Sequence, residues 1–209
     1  MITVVRAPPF ATVQDLGRAG FRDIGVPLSG IADRDSGHAL NALLGNDSNA
    51  AMIEWAVAGG DLSVDADTTI ALGGAEAICT LDDRVLAPWT RIELARGDTL
   101  HVDQIVRGRF LLVAIRGGID VPIVMGSRST LLSAGLGGFE GRRLRNGDQL
   151  RVAMQEATMT VPVAPSRVQR NADLIHVMRG PQSHRFDDAA WRSFLGAQFS
   201  VSRASDRTG

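Results

Sequence analysis

A series of short apolar runs separated by tight turns constrains the fold of this chain more than any other feature of its sequence. The runs follow one another at residues 51–57, 62–64, 69–72, 77–81, 91–94 and 99–102. Gly-Gly, Asp-Asp and Gly-Asp pairs separate them, and these residue types are favoured in tight turns. Runs of this length and spacing predict antiparallel strands in a barrel or a sandwich, with few helices.

One helix is predicted before these strands. Residues 31–44 contain loosely periodic apolar positions, and Gly45 supplies a stop signal. Ser29 or Gly30 is expected to cap the start of the helix, and Asp33 lies in an early turn, where the helix dipole favours negative charge. The sequence therefore predicts a single N-terminal helix beside a mainly β fold.

The C-terminal part of the chain has a different sequence pattern. Residues 154–173 contain two prolines and little periodicity, which predicts a linker or a long loop. A strand and a sharp turn are predicted in residues 174–182, an amphipathic helix in residues 187–195 and a last strand in residues 197–201. We expect one C-terminal helix to accompany the N-terminal one.

Composition excludes several classes of function. The formal net charge of -1 gives no global attraction to nucleic acid or to an anionic membrane, so a small molecule or a protein is the expected partner. All 22 basic residues are arginine, which excludes Schiff-base chemistry and a Walker-type phosphate loop. The single Cys79 has no partner for a disulfide or a CxxC metal site, no metal site is predicted, and we interpret Cys79 as a small buried hydrophobe. With neither a leader nor a membrane span visible, a cytoplasmic location is expected.

The stretch from residue 126 to residue 152 carries the strongest signal for a binding site. It joins a hydroxyl and arginine cluster to a glycine loop and then to a basic run; its candidate binding residues are Ser127, Arg128, Ser129, Thr130, Gly137, Gly138 and Arg142. Glycine amides, hydroxyls and guanidinium groups suit carboxylate or phosphate oxygens. An anionic or amide-bearing ligand is one interpretation, and a surface hairpin with a solvated basic face is the other.

Carboxylates and one further arginine provide a second set of candidates. Asp15 and Arg18 lie three residues apart in a glycine-rich loop, and they form either a structural ion pair or part of a substrate clamp. Glu54 alternates onto the opposite face of its strand from Ile53 and Trp55. It either faces solvent or points into a barrel mouth as an acid or a base, and we favour the mouth.

Several motifs in fixed order resemble a known family. They are VQDLGRAG, GVPLSGIAD, NALLGN with the glutamate of MIEW, RGGIDVPIVMGSRST, GLGGFEGRRL and NGDQL. Together they resemble the biotin-dependent carboxyltransferase family, which includes the C subunit of 5-oxoprolinase, also called allophanate hydrolase subunit 2, and kinase-inhibitor-associated proteins of the Kip type. The resemblance runs in order from residue 4 to residue 207.

The resemblance implies a cyclophilin-like β-barrel in one domain spanning residues 1–209, with a sub-division into residues 1–105 and 106–209 as an option. It also implies that the chain works with a B subunit of the allophanate hydrolase subunit 1 type and with an A subunit. The first function implied is an ATP-dependent 5-oxoprolinase that opens 5-oxoproline to glutamate, with the ATP site on or shared with a partner. The alternatives are carboxyl transfer from a visiting carboxybiotin to urea or a similar amide, and a non-catalytic Kip-type regulatory module.

Both reactions act on a planar amide whose oxygen gains negative charge, and this suggests roles for the motif residues. Asp15, Arg18, Asp33 and Glu54 are the catalytic candidates, with the carboxylates handling protons. Arg18 and Arg128, with Ser29 and the serines and glycines of the central stretch, are candidates to hold a carboxylate or an oxyanion. In the family the motif that contains Asp206 and Arg207 lies well inside the domain, so we expect the chain to be incomplete at its C-terminus.

Overall fold

The computed structural model describes residues 1–154 and 175–200. In these residues it contains nine strands and two α-helices. In chain order the strands are β1 (Ile2–Arg6), β2 (Thr12–Gln14), β3 (Met52–Ala56), β4 (Gly60–Val64), β5 (Thr68–Leu81), β6 (Arg84–Val85), β7 (Ile92–Leu94), β8 (Thr99–Ile115) and β9 (Gln149–Leu150). The helices are α1 (Arg34–Leu44) and α2 (Asp188–Gly196).

Strand β8 is the centre of the sheet, because it is long enough to pair with three other strands. Its first residues pair with β4, its last residues pair with β3, and β5 follows its opposite edge. The sheet runs in the order β2-β3-β8-β4-β1-β9, with β6 and β7 paired to β5. These pairings are all antiparallel, and the sheet curls into a half-barrel, which confirms the predicted mainly β class.

The sheet separates two groups of buried apolar side chains. The main core lies on one side of the sheet and includes Ile53, Trp55, Leu100 and Val113. The second group lies between the sheet and α1, where Leu40 contacts the opposite face of the strands. Strand alternation therefore supplies both groups, since neighbouring residues of one strand point to opposite faces. Cys79 lies in the main core, which confirms its interpretation as a buried hydrophobe.

One pair of predicted strands is a single long strand, and another predicted strand is much longer than expected. The runs at residues 69–72 and 77–81 belong to β5, and the run at residues 99–102 continues through Ile115 as β8. The ladder between them stays continuous through register shifts, one of which lies beside Gly74. Gly74 adopts a φ of 82°, and a bulge of this kind keeps a strand paired where the sequence alone resembles a turn.

The N-terminal helix starts later than predicted. It begins at Arg34, and its N-cap is Asp33, whose carboxylate accepts hydrogen bonds from the backbone amide and the hydroxyl of Ser36. The prediction that Ser29 or Gly30 caps the helix is therefore wrong, because the chain is still non-helical there and needs its cap nearer the first turn. The predicted stop at Gly45 is confirmed, with a φ of 71°.

The chain divides into two compact units, Met1–Ser166 and Arg167–Gly209. The second contains α2, which confirms the predicted C-terminal helix, and Asp187 caps it through the amide of Ala190. Residues 175–180 and 197–200 form no strand, so the strands predicted there are wrong within the residues described. The predicted linker lies almost entirely outside those residues. The sub-division between residues 105 and 106 falls inside β8.

Neither helix in the described ranges combines the length and the apolar character that a membrane crossing requires.

Candidate functional site

The carboxylate of Asp15 organises a buried polar cluster just after β2. One of its oxygens accepts hydrogen bonds from the hydroxyls of Ser127 and Ser129 at 2.6 and 2.5 Å and from the amide of Gly17 at 2.8 Å. The other accepts the amide of Arg128 at 2.6 Å. All four donors come from the two motifs that the sequence singled out, so Asp15 fastens one motif to the other.

Thr130 also joins these two segments, through hydrogen bonds to Val13. Its amide and hydroxyl both donate to the carbonyl of Val13, at 3.0 and 2.9 Å. Its own carbonyl accepts the side-chain amide of Gln14 at 3.2 Å and the hydroxyl of Ser29 at 2.7 Å. The hydroxyl of Ser129 and that of Thr130 are therefore engaged inside the protein, where they hold the backbone of the loop in place.

Arg18 is a buried cation within this cluster, with 1% of its surface exposed. Its Nη2 donates to the carbonyl of Ser129. Its Nε and Nη1, and the Oε1 of Gln14, are buried without a hydrogen-bond partner in the described residues. Burial lowers the pKa of Arg18, and the charge of Asp15 opposes that effect. Arg18 does not contact the Asp15 carboxylate, so the predicted structural ion pair is absent from the described contacts and only a longer-range attraction joins the two charges.

The glycine loop lies directly against this cluster. An added Cβ on Gly137 would be 2.3 Å from the carbonyl oxygen of Ser129 and 2.6 Å from Nη2 of Arg18. On Gly138 it would be 1.8 Å from Oγ1 of Thr130. Both residues also have positive φ, at 67° and 57°. Glycine is required at these two positions because the loop backbone passes too close to the cluster for any side chain.

A pocket of about 540 Å³ opens on the other side of the glycine loop. Its walls are largely apolar, with a few polar side chains among them. The lining residues are Asp120, Val121, Pro122, Val124, Gly135, Leu136, Gly137, Gly138, Phe139, Glu140, Gly141, Gln149 and Arg151. We call this the glycine pocket. Gly137 and Gly138 line the pocket and also lie against the buried cluster, so only the backbone of the loop separates the pocket from the cluster.

Two of the arginines predicted to bind a ligand, Arg128 and Arg142, already lie beside carboxylates. Arg128 donates through Nε to the carbonyl of Val121 at 3.1 Å and lies 3.7 Å from Asp120. Arg142 binds Asp148 through two hydrogen bonds, at 2.7 and 2.9 Å, and lies 2.8 Å from Glu140. The hydrogen bonds with Asp148, which outweigh the effect of burial, raise the pKa of Arg142. Both arginines therefore brace the rim of the glycine pocket.

Glu54 and Asp33 lie around the start of α1. Glu54 is buried, at 1% exposure, which makes the solvent-facing alternative wrong. It shares a strand face with Met52, which packs in the group beneath α1, and its Oε2 accepts the amide of Ala32 at 2.7 Å. The alternation away from Ile53 and Trp55 is confirmed, and the carboxylate lies on the α1 side of the sheet rather than among the main-core side chains.

The structure thus brings most of the predicted site residues together. Asp15, Arg18, Ser29, Ser127, Arg128, Ser129, Thr130, Gly137 and Gly138 form one connected cluster, whereas Arg142 binds Asp148 in the turn before β9. Asp206 and Arg207 lie outside the described residues. Sequence reasoning missed Gln14 and Arg151. Gln14 precedes Asp15 in the VQDLGRAG motif, and that position is the signal that would have identified it. Arg151 lies just after β9, and no signal in the sequence singled it out.

Comparison with known proteins identifies relatives over most of the chain. A family model described as the carboxyltransferase domain, subdomain A and B, matches residues 24–209. The chain is 36% identical over 212 residues to the C subunit of 5-oxoprolinase of Escherichia coli K12, a match that covers 100% of this chain and 67% of that protein.

Two further relatives are much larger proteins, and the chain matches only a small part of each. The chain is 36% identical over 161 residues to urea amidolyase of Saccharomyces cerevisiae, covering 77% of this chain and 9% of that protein. The crystal structure of K. lactis urea amidolyase superposes with a TM-score of 0.73 at 37% identity, covering 78% of this chain and 10% of that one. The chain therefore spans about two thirds of the first relative and about a tenth of the other two.

Proposed function

This chain belongs to the family of the carboxyltransferase domain, subdomain A and B, and on that premise we propose that it is a subunit of an ATP-dependent 5-oxoprolinase. The enzyme opens the lactam ring of 5-oxoproline to give glutamate, and the chain acts in it together with two partner proteins, the A and B subunits. The observation that carries the proposal is similarity along the entire chain to the C subunit of a 5-oxoprolinase. The urea amidolyase relatives match about three quarters of it.

The glycine pocket supports a small cyclic amide as the substrate. Its volume lies in the range of small-molecule sites, and its apolar walls suit the methylene groups of a five-membered ring. The loop residues line the pocket, and their backbone amides are suited to donate hydrogen bonds to the oxygen of the lactam as it gains negative charge. Arg18 lies behind that loop, so its charge favours an anion in the pocket without touching it.

The carboxylates have different parts in this proposal. Asp15 and Asp33 are committed to contacts that fix the loops and α1, and we assign them positioning roles. Glu54 does not line the glycine pocket, and we retain it as the candidate that moves a proton near the start of α1. A Glu54→Gln variant keeps the shape and the acceptor for the Ala32 amide, so we expect it to fold normally and to lose turnover. Undiminished partner-dependent turnover in that variant would exclude Glu54 from the chemistry.

We also propose that the reaction requires ATP and the two partner subunits. ATP binds on a partner or at a site shared with one, and the complex is cytoplasmic, where ATP is supplied. The test is ATP-dependent release of glutamate from 5-oxoproline by this chain mixed with its cognate A and B subunits. Mixtures that lack this chain, or ATP, are the controls. Equal release with and without this chain would contradict the proposal.

A second candidate function is carboxyl transfer from carboxybiotin to urea, with biotin arriving on another chain. The observation that favours it is the similarity to urea amidolyases in both sequence and structure. The same preparation should then consume urea when supplied with a carboxylated biotin carrier, and it should ignore 5-oxoproline. The two substrates assayed side by side distinguish the two functions.

A further inference from the structure

Arg151 occupies a position that the proposed function does not yet use. It follows β9, where Leu150 is fully buried in the main core. Because neighbouring residues of an extended strand point to opposite faces, Gln149 and Arg151 both point away from that core. Both line the glycine pocket, and both are exposed.

The charges around the pocket leave Arg151 as the available guanidinium. Asp120 lies 3.7 Å from Arg128, and Glu140 lies 2.8 Å from Arg142. No carboxylate contacts the guanidinium of Arg151 in the part of the chain that the structure describes. With Asp148, which also binds Arg142, the region contains three carboxylates and three guanidinium groups. Attraction for an anion is therefore local to Arg151 rather than a property of the whole rim.

The facing wall offers backbone donors. The amides of Leu136 and Gly141 donate to carbonyls within the loop, but those of Gly137, Gly138, Phe139 and Glu140 have no acceptor among the described residues. Three of these four residues have positive φ. Successive amides in such a conformation form a concave site for an oxygen with negative charge.

We propose that Arg151 binds the carboxylate of a cyclic amide acid in the glycine pocket, while the amides of residues 137–140 receive its lactam oxygen. Arg151 is then the residue that makes the pocket selective for an anionic lactam over a neutral amide such as urea. This inference rests on the proposed function, because it specifies the substrate class of that same pocket. It adds a specificity-determining residue and predicts how two related substrates will be distinguished.

The test compares 5-oxoproline with 2-pyrrolidinone, which has the same ring and no carboxylate. Equilibrium binding of both compounds is measured by calorimetry, with this chain alone and with its partner subunits, for the wild type and for Arg151→Gln. Loss of one charge-assisted contact should weaken 5-oxoproline binding by about 10- to 100-fold and leave 2-pyrrolidinone binding unchanged. The matched control is Arg84→Gln, which removes an exposed arginine from β6, and it should change neither value.

The outcomes separate this inference from the proposed function. If Arg151→Gln weakens binding of both compounds equally, or of neither, Arg151 does not recognise the carboxylate and the inference is wrong. If the wild type binds neither compound in either state, the pocket is not a lactam site and the inference is also wrong. Selective loss of 5-oxoproline binding without glutamate release in the turnover assay would support the inference and contradict the proposed function. Circular dichroism of both variants verifies that the fold is intact.

Discussion

Both carboxylate oxygens of Asp15 accept hydrogen bonds from groups inside the protein. The structure therefore depends on having two acceptor oxygens at this position. One oxygen faces two hydroxyls and one amide, and the other faces the amide of Arg128. A carboxylate suits this position because both of its oxygens accept. An asparagine would place an NH₂ group opposite one of these donors.

We therefore expect Asp15→Asn to lower the free energy of unfolding by roughly 2–4 kcal/mol, because a buried donor is left facing a donor. Urea unfolding followed by circular dichroism measures the change. Asp23→Asn is the matched control, since Asp23 is exposed, and it should shift the free energy by less than about 0.5 kcal/mol. Equal effects of the two substitutions would contradict the role given to Asp15.

Cys79 gives a second prediction at this scale. Burial raises the pKa of its thiol to about 11, so little thiolate is present at neutral pH. Because the thiolate is the reactive form, native protein at pH 8 should react with a disulfide reagent far more slowly than protein in denaturant. The absorbance of the released thiol follows both reactions. Rapid labelling of the native protein would show that Cys79 is not in the core.

The glycine loop is the element on which the pocket depends. Gly135 and Gly138 have similar φ values, 60° and 57°, but only Gly138 lies against the cluster. An alanine at residue 135 meets backbone strain alone, whereas one at residue 138 also collides with Thr130.

Gly135→Ala should therefore lower stability by about 1 kcal/mol, and Gly138→Ala by at least about 2 kcal/mol more, with loss of ligand binding in the pocket. Thermal unfolding and ligand titration of the two variants measure these effects. A Gly138→Ala protein as stable as Gly135→Ala would mean that the loop does not press on Thr130.

The turn before β9 depends on Asp148 for its stability. Burial by itself would raise the pKa of Asp148, but hydrogen bonds from Arg142 and from the amide of Arg145 outweigh it and lower the pKa. A lowered folded-state pKa stabilises the protein above the unfolded value of about 3.8, and that contribution is lost as pH falls through the folded value.

Asp148→Asn should consequently lower the free energy of unfolding by roughly 1–2 kcal/mol at pH 7, and by progressively less as pH falls below 3.8. Urea unfolding at pH 7, 5 and 3 measures the difference. Asp83→Asn, in an exposed turn, controls for the charge removed. A difference that stays constant down to pH 3 would contradict the assignment.

The elements that the sequence predicted well are those whose signals are local. Gly45 marks the end of α1 because a left-handed residue there needs no support from elsewhere. The start of α1 depends on which side chain reaches Ser36, and nothing in the sequence distinguishes Asp33 from Ser29 in that respect. The sequence around Gly74 resembles a turn, but pairing with a distant segment keeps it in a strand.

The same distinction applies to the candidate site. Motif chemistry identified Asp15, Arg18 and the serines as candidates in two separate stretches, and the structure joins them through contacts between residues more than 100 positions apart. It did not indicate that their hydroxyls point inward, since burial depends on the tertiary fold. Arg151 was missed because an exposed arginine on a short strand is ordinary until the facing loop is known.

At the scale of the whole molecule, β8 joins the two apolar groups. Leu112 and Ala114 belong to the group beneath α1, while Leu111, Val113 and Ile115 belong to the main core. Because consecutive residues of one strand serve both groups, neither group can lose its packing without disturbing the other.

We expect the first compact unit to unfold in one cooperative step as a result. Leu40→Ala, beneath α1, and Leu100→Ala, in the main core, should each lower the stability of that same step by roughly 2–5 kcal/mol. Circular dichroism and tryptophan fluorescence should give coincident transitions in both variants. Ile24→Ala, at an exposed position, is the control. A separate early transition in only one variant would show that the two groups unfold independently.

The position of Arg18 behind the glycine loop has a consequence for how this family can diversify. The cation and the hydroxyl network that hold the loop are sealed from solvent, whereas Gln149 and Arg151 stand at the rim with no part in the core. Substitutions at the rim can therefore change which amide is accepted while the folded loop beneath the pocket is retained. A domain with this arrangement can acquire a new substrate by substitution of one or two rim side chains, while the glycine loop and the buried network beneath it stay unchanged.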